Sequence, residues 1–259
     1  MKKEVNYDKI YQSNNFGPFK ILEDINIPGE KRKAKVMFLD TGAIKTVDYY
    51  SALCGNIRDD YRKTMHGVAC KGNASSYHPA YNMWEAMINR CYNPNSQRYS
   101  SYGAKGVTVC DKWLCFEYFL EDLPLIDGYE NWLKYPGEYA FDKDYKQMRT
   151  GKEQMVYSLE TCCFVPKSEN SRITRYLEKN KQYIGVKEIN GKYRASINIG
   201  THPIYLGLFT TPELAACAYN NAVDYYHPNA LIKNNVKYID PSELIKYNLS
   251  KKLAIKVVK

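Results

Sequence analysis

The run FDKD at 141–144 places two carboxylates, Asp142 and Asp144, on either side of Lys143, and an amide, Asn170, follows 28 residues after Asp142. The stretch that holds them, EYAFDKDYKQMRTGKEQMVYSLETCCFVPKSENSR (138–172), reads as a strand, a loop, a second strand and the start of a helix. Carboxylate and amide oxygens suit a hard divalent ion such as magnesium. An ion held between the arms of such a hairpin could contact a phosphodiester and its leaving oxygen. Metal-assisted cleavage of a phosphodiester is thus one chemistry such a layout could serve. Yet the stretch contains no histidine, the usual base of such sites. A plainer reading has Asp142 and Asp144 capping a turn and Asn170 capping the helix.

Composition bears on the partner. The formal net charge of +9 favours a polyanion. The chain has 25 tyrosines against 8 phenylalanines and 3 tryptophans. Tyrosine pairs an apolar face with a polar tip, so it can stack on bases or donate to phosphates; the codon bias of an AT-rich genome yields the same excess. A hydrophobic share of 44% excludes wholesale disorder. No stretch approaches the ~20 apolar residues of a membrane span, and residues 1–15 are polar, without the apolar run of a leader. A cytoplasmic protein is expected, its 8 cysteines mostly reduced and none in the tight paired spacing of a zinc finger.

The patterning predicts an α+β chain. Residues 1–74 form a small β-rich module: FKILEDI, KAKVMFL and IKTVDYY read as strands, with Lys31, Arg32, Lys33 and Lys35 in or beside a hairpin loop. Residues 75–177 turn helical before the opening hairpin. Tyr81, Trp84, Ile88 and Cys91 fall on one helix face, and WLCFEYFLEDL gives a second amphipathic helix. Glu178 to Gln182 is a polar connector. In 183–235, three strands precede an alanine-faced helix, TPELAACAYNNAVDYY, with Asn190-Gly191 as a hairpin turn. Residues 236–259 form a basic, weakly patterned tail.

Within that last module, YIGVKEINGKYRASI followed by YLGLFTTPELAACAYNNA resembles the plant ethylene-response-factor DNA-binding domain, the Apetala type. The landmarks are Gly185, Val186, Tyr193, Ala195, Ile197, Tyr205, Leu206, Gly207, Phe209, Ala215, Ala216, Ala218 and Tyr219. The resemblance implies a sheet lying in the DNA major groove, with Lys187, Tyr193, Arg194, Ser196, Asn198 and Tyr205 as its readers. Ile184, Ser196 and Asn198 depart from the family's usual basic, acidic and arginine residues, so the plant target sequence does not carry over.

HPAYNMWEAMINRCYNPNSQRYSSYGAKGVTVCDKWLCFEYFLEDL, with FDKD, YSLETCCF and KSEN downstream, resembles bacteriophage proteins related to HNH homing endonucleases, over about 95 residues. The first region resembles a β-module found ahead of this unit in some phage proteins. The resemblance implies Asp142 and Asn170 as ligands of magnesium or manganese, Asp144 as a second candidate, and Lys143 where the histidine should stand. With a reference pKa of about 10.4, a lysine needs a drop of roughly three to act as base near neutrality. Its acidic neighbours push the other way, so Lys143 reads as a phosphate clamp. His78, Tyr157 or metal-bound water remain as bases. Cys91, Cys110 and Cys162, with His78, could also form a structural zinc site, or pack as small apolar groups.

Three readings stay open: a double-stranded DNA endonuclease of phage or mobile-element type, a DNA-binding regulator on a decayed nuclease fold, and a phage factor that binds protein. An odd number of reading modules suggests a monomer on an asymmetric DNA site, and no membrane partner is expected.

Overall fold

A computed structural model describes residues 6–146, 155–178, 182–199, 202–227, 230 and 232–250; for 173–178 only the helix is described. The chain is α+β, with several small sheets and short helices. It divides into two compact units, Met1–Glu130 with Thr150–Cys163, and Asn131–Arg149 with Phe164–Lys259. Among the described residues, no helix is long and apolar enough to cross a membrane.

The first unit opens with an antiparallel meander of β1 (Ile10–Ser13), β2 (Gly17–Ile25), β3 (Lys33–Phe38) and β4 (Ile44–Asp48). Alternation turns Phe19, Ile21, Ala34, Val36 and Phe38 onto one face, where helix α1 (Tyr49–Leu53) adds Tyr49 and Ala52. Of the basic loop cluster, Arg32 is not a solvated tip. It donates to Asp24 through Nε at 2.8 Å and lies 3.7 Å over the Tyr49 ring.

Helix α2 (Tyr81–Tyr92) buries Trp84, Met87, Ile88 and Cys91, spaced as one helix face. Against it pack Phe116 and Phe119 of α3 (Phe116–Asp122) and Trp113. Both indole nitrogens are satisfied: Trp84 Nε1 donates to the Trp113 carbonyl at 2.7 Å, and Trp113 Nε1 to Asp122 at 2.9 Å. The short β5 (Thr108–Val109) pairs in parallel with β7 (Val156–Tyr157).

The second unit carries helix α4 (Tyr129–Lys134) from Asn131 onward and then β6 (Tyr139–Asp142), which pairs with β8 (Cys163–Pro166). Helix α5 (Lys167–Glu178) leaves β8 directly, so the chain stays helical to the start of the expected connector, of which 179–181 lie outside the described residues. The antiparallel sheet β11-β10-β9 follows, from β9 (Val186–Ile189), β10 (Lys192–Ile199) and β11 (His202–Phe209). Asn190 and Gly191 take the left-handed φ values of 50° and 71° that an Asn-Gly hairpin turn requires.

Helix α6 (Pro212–Tyr226), capped by Thr211, covers one face of this sheet. Ala215, Ala216, Ala218 and Ala222 are all buried, and their small side chains let helix and sheet approach closely. The segment read as a weakly patterned tail contributes Val236 and Ile239 to this core. It also forms α7 (Pro241–Leu244), which buries Leu244.

Candidate nucleic-acid interface and metal site

Lys167 N–H donates to the Glu138 carbonyl at 2.9 Å, which sets the start of β6 opposite the end of β8 and makes the pair antiparallel. Helix α5 packs back against β6. Asp142, at the end of β6, and Asn170, in the first turn of α5, therefore share one ββα unit. Asp142 is 6% exposed. Its Oδ1 accepts the backbone N–H groups of Asp144 at 2.9 Å and Tyr145 at 2.7 Å, capping the helical turn that follows. Burial pushes its carboxyl up to about 6, against the pull of those two N–H groups and of Lys143. Lys143 is buried and ion-paired to Asp144.

The donor set is all oxygen, two carboxylates and an amide, and suits magnesium or manganese rather than zinc. A cation beside Asp142 would favour the charged form that burial opposes. Among the described residues, no group of three His, Cys, Asp or Glu side chains is gathered to hold a metal. An ion here would rest on Asp142, Asn170 and Asp144, with water or phosphate completing its shell.

The two protein bases considered for the site fare differently. Tyr157 does not lead the strand that pairs with β6. It sits in β7, 2% exposed, stacked on Tyr102 with centroids 6.4 Å apart and with the Arg90 guanidinium 4.9 Å from its ring. Burial drives its phenol far above the ordinary tyrosine range, so it holds its proton. His78 stands in the turn ahead of α2. Its Nδ1 accepts from Ala80 N–H at 3.2 Å, and its ring meets Phe116 edge-on.

Cys91 and Cys162 are buried and Cys110 is half-buried, and these three do not form a ligand group with His78. Burial pushes the Cys110 thiol up, which resists the thiolate that zinc requires. Cys70 and Cys115 are joined by a parallel backbone bridge. There the Cys115 thiol is pulled down by a hydrogen bond from Cys70 and by the N–H groups of Tyr118 and Glu117.

In the terminal sheet, Tyr193, Ala195 and Ile197 face the α6 core, with Ile204 and Phe209. The intervening residues turn away from it. Lys187, Arg194 and Asn198 are exposed, and Ser196 and Tyr205 are half-buried. Lys187 lies directly opposite Arg194 across the strands, and Ser196 opposite Tyr205. The Arg194 guanidinium lies 5.5 Å from the Tyr205 ring centroid. Five of the six expected readers thus share the outer face. Tyr193 does not, because its parity is that of Ala195 and Ile197.

Residues that sequence reading did not single out support both places. Glu169 is buried and accepts from Arg172 Nη1 at 2.7 Å. Their three-residue separation on a helix was the available signal. Asn234 clamps Ile184, accepting from its N–H at 2.7 Å and donating to its carbonyl at 3.0 Å, and no local pattern marks that contact. Comparison of the chain with models of known families, with curated proteins and with solved structures finds no match.

Proposed function

We propose that this chain binds double-stranded DNA with sequence preference through the outer face of β9-β10-β11, and that its ββα unit nicks or cuts the bound backbone with a divalent cation, as in the HNH-like phage proteins it resembles. The observation that carries the reading is that face: a three-stranded sheet backed by a helix, with Lys187, Arg194, Ser196, Asn198 and Tyr205 directed away from the core. Two adjacent cations suit phosphates, an amide suits an adenine edge, and a tyrosine ring packs on a sugar. In the ββα unit, Asp142 and Asn170 would hold magnesium or manganese, which supplies Lewis-acid polarisation of a phosphate. Lys143, expected as a phosphate clamp, is buried and ion-paired to Asp144.

A second reading, binding without scission, is favoured by one observation: Asp142 Oδ1 is taken up by backbone capping. The experiment that separates them starts from a random-sequence duplex pool, from which the protein selects its bound members. These are then incubated with it in magnesium or manganese. The proposal expects an enriched sequence and a strand break on it. Enrichment without a break selects the second reading, and no enrichment overturns both.

A further inference from the structure

We infer that Arg172 joins helix α5 to the terminal DNA-reading module as one rigid body, and so fixes the distance between the sequence that is read and the phosphodiester presented to Asp142. The inference rests on the proposed function for its outcome on DNA. Its geometry lies within the second unit.

Arg172 stands two residues after Asn170 and extends its guanidinium in three directions. Nη1 donates to Glu169 at 2.7 Å, Nε to the Tyr219 hydroxyl at 3.2 Å, and Nη2 to the Ile232 carbonyl at 2.9 Å. The arginine side chain is 12% exposed and that of Glu169 5%. The fork of a guanidinium is planar and fixed, so three simultaneous acceptors set both position and orientation. Glu169 lies on α5 itself, and the other two acceptors lead into the reading module. Tyr219 belongs to α6 and packs so closely over Gly185 that a Cβ there would lie 2.0 Å from its ring. Gly185 in turn accepts from the N–H of Ser196, a member of the outer reading row, at 2.9 Å. Ile232 lies two residues before Asn234, which clamps the backbone of Ile184. A continuous path of part-buried contacts thus runs from the helix that carries Asn170 to the terminal sheet.

A reading module on a flexible connector would let the break wander along the duplex. A module fixed through Arg172 places it at one offset. A contact that only stabilises the fold would leave that offset unchanged when removed, which makes Arg172 a positioning residue open to test.

The test uses the full chain and a duplex selected by the wild type from a random pool. End-labelled strands report nick positions in manganese, and hydroxyl-radical footprints are taken in EDTA. The wild type is expected to nick at one position and to protect one continuous stretch. Arg172→Ala should bind the same duplex within about threefold. Its nicks should spread over several nucleotides or slow by at least about tenfold, and its protection should weaken at the flank while holding over the read sequence. Tyr219→Phe, which removes a single acceptor, should change in the same direction by less. It stands in if circular dichroism shows the alanine variant unfolded. Wild-type nick position, rate and footprint in the Arg172→Ala protein, or in Tyr219→Phe where it stands in, would overturn the inference. A wild type that selects and protects a duplex without nicking it defeats the cleavage reading, and the footprints then decide the coupling alone. A wild type that selects no duplex overturns the inference with the reading it rests on.

Discussion

The terminal sheet and the ββα unit treat their polar residues in opposite ways. On the sheet, Lys187, Arg194 and Asn198 are exposed. In the ββα unit, Asp142, Lys143 and Glu169 are buried, with Lys143 and Glu169 ion-paired to neighbours. A groove-reading face must leave its donors and acceptors to the nucleic acid. A site for chemistry holds its acid away from water, at the cost of a raised pKa until a cation restores the charge. Under the proposed function, the contrast assigns binding to exposed groups and chemistry to a buried acid.

The comparison breaks most sharply at Asp142. Asp142→Ala should lower manganese-dependent nicking of a selected duplex by at least about a hundredfold, while its affinity in EDTA stays within about threefold of wild type. Persisting scission would remove the ion from this residue. Next comes Gly185→Ala. With φ at +74° and a Cβ 2.0 Å from the Tyr219 ring, the substitution should destabilise the second unit by about 2–4 kcal/mol in a urea titration. The double variant Lys187→Ala, Arg194→Ala should weaken duplex binding by about ten- to a hundredfold and reduce the salt slope by about two ions. A slope equal to the wild type's would move the phosphate contacts elsewhere.

The smallest effect is one of pH. Because burial raises the Asp142 carboxyl to about 6 from an ordinary 3.8, the folded state holds the proton more tightly than the unfolded chain. The resulting stability is fully present below pH 3.8 and is lost as pH rises through about 6. Local relaxation keeps its size on the order of 2 kcal/mol. Asp142→Asn, which can still cap the turn, should flatten that part of the pH–stability curve. Manganese should raise the melting temperature of the wild type at pH 7 and leave that of Asp142→Asn unmoved.

Much of the terminal module was legible because its signals are local. Asn190-Gly191 specifies its turn, and the spacing of Ala215, Ala218 and Ala222 marks the helix face that meets the sheet. Around Asp142, strands β6 and β8 and the start of α5 were legible from short apolar runs broken by polar turns, while residues 147–154 of the expected loop lie outside the described residues. The face of Tyr193 was open to the same parity argument that buries Ala195 and Ile197, but its alignment with a family reader obscured it. The pairing of β10 with β11 shifts register between Ala195 and Ser196, so simple alternation does not assign every residue a side. The pairing of the Tyr157 strand with β5 was not legible, because β5 lies nearly fifty residues back in the chain and pairing of two-residue strands leaves almost no pattern. The Arg172 contacts reach Tyr219 and Ile232, 47 and 60 residues away. Such contacts follow from the completed packing and have no local signature.

The central claim is that the outer face of β9-β10-β11 reads duplex sequence. Its most direct test is a salt titration of fluorescence anisotropy with two duplexes of equal length, one selected from a random pool and one of shuffled sequence. The account expects the selected duplex to bind at least about tenfold more tightly at every salt concentration. Asn198→Ala should narrow that gap by about 1–2 kcal/mol without changing the salt slope. Equal affinities that fall together as salt rises would mean that net charge alone brings this protein to DNA, and would contradict it.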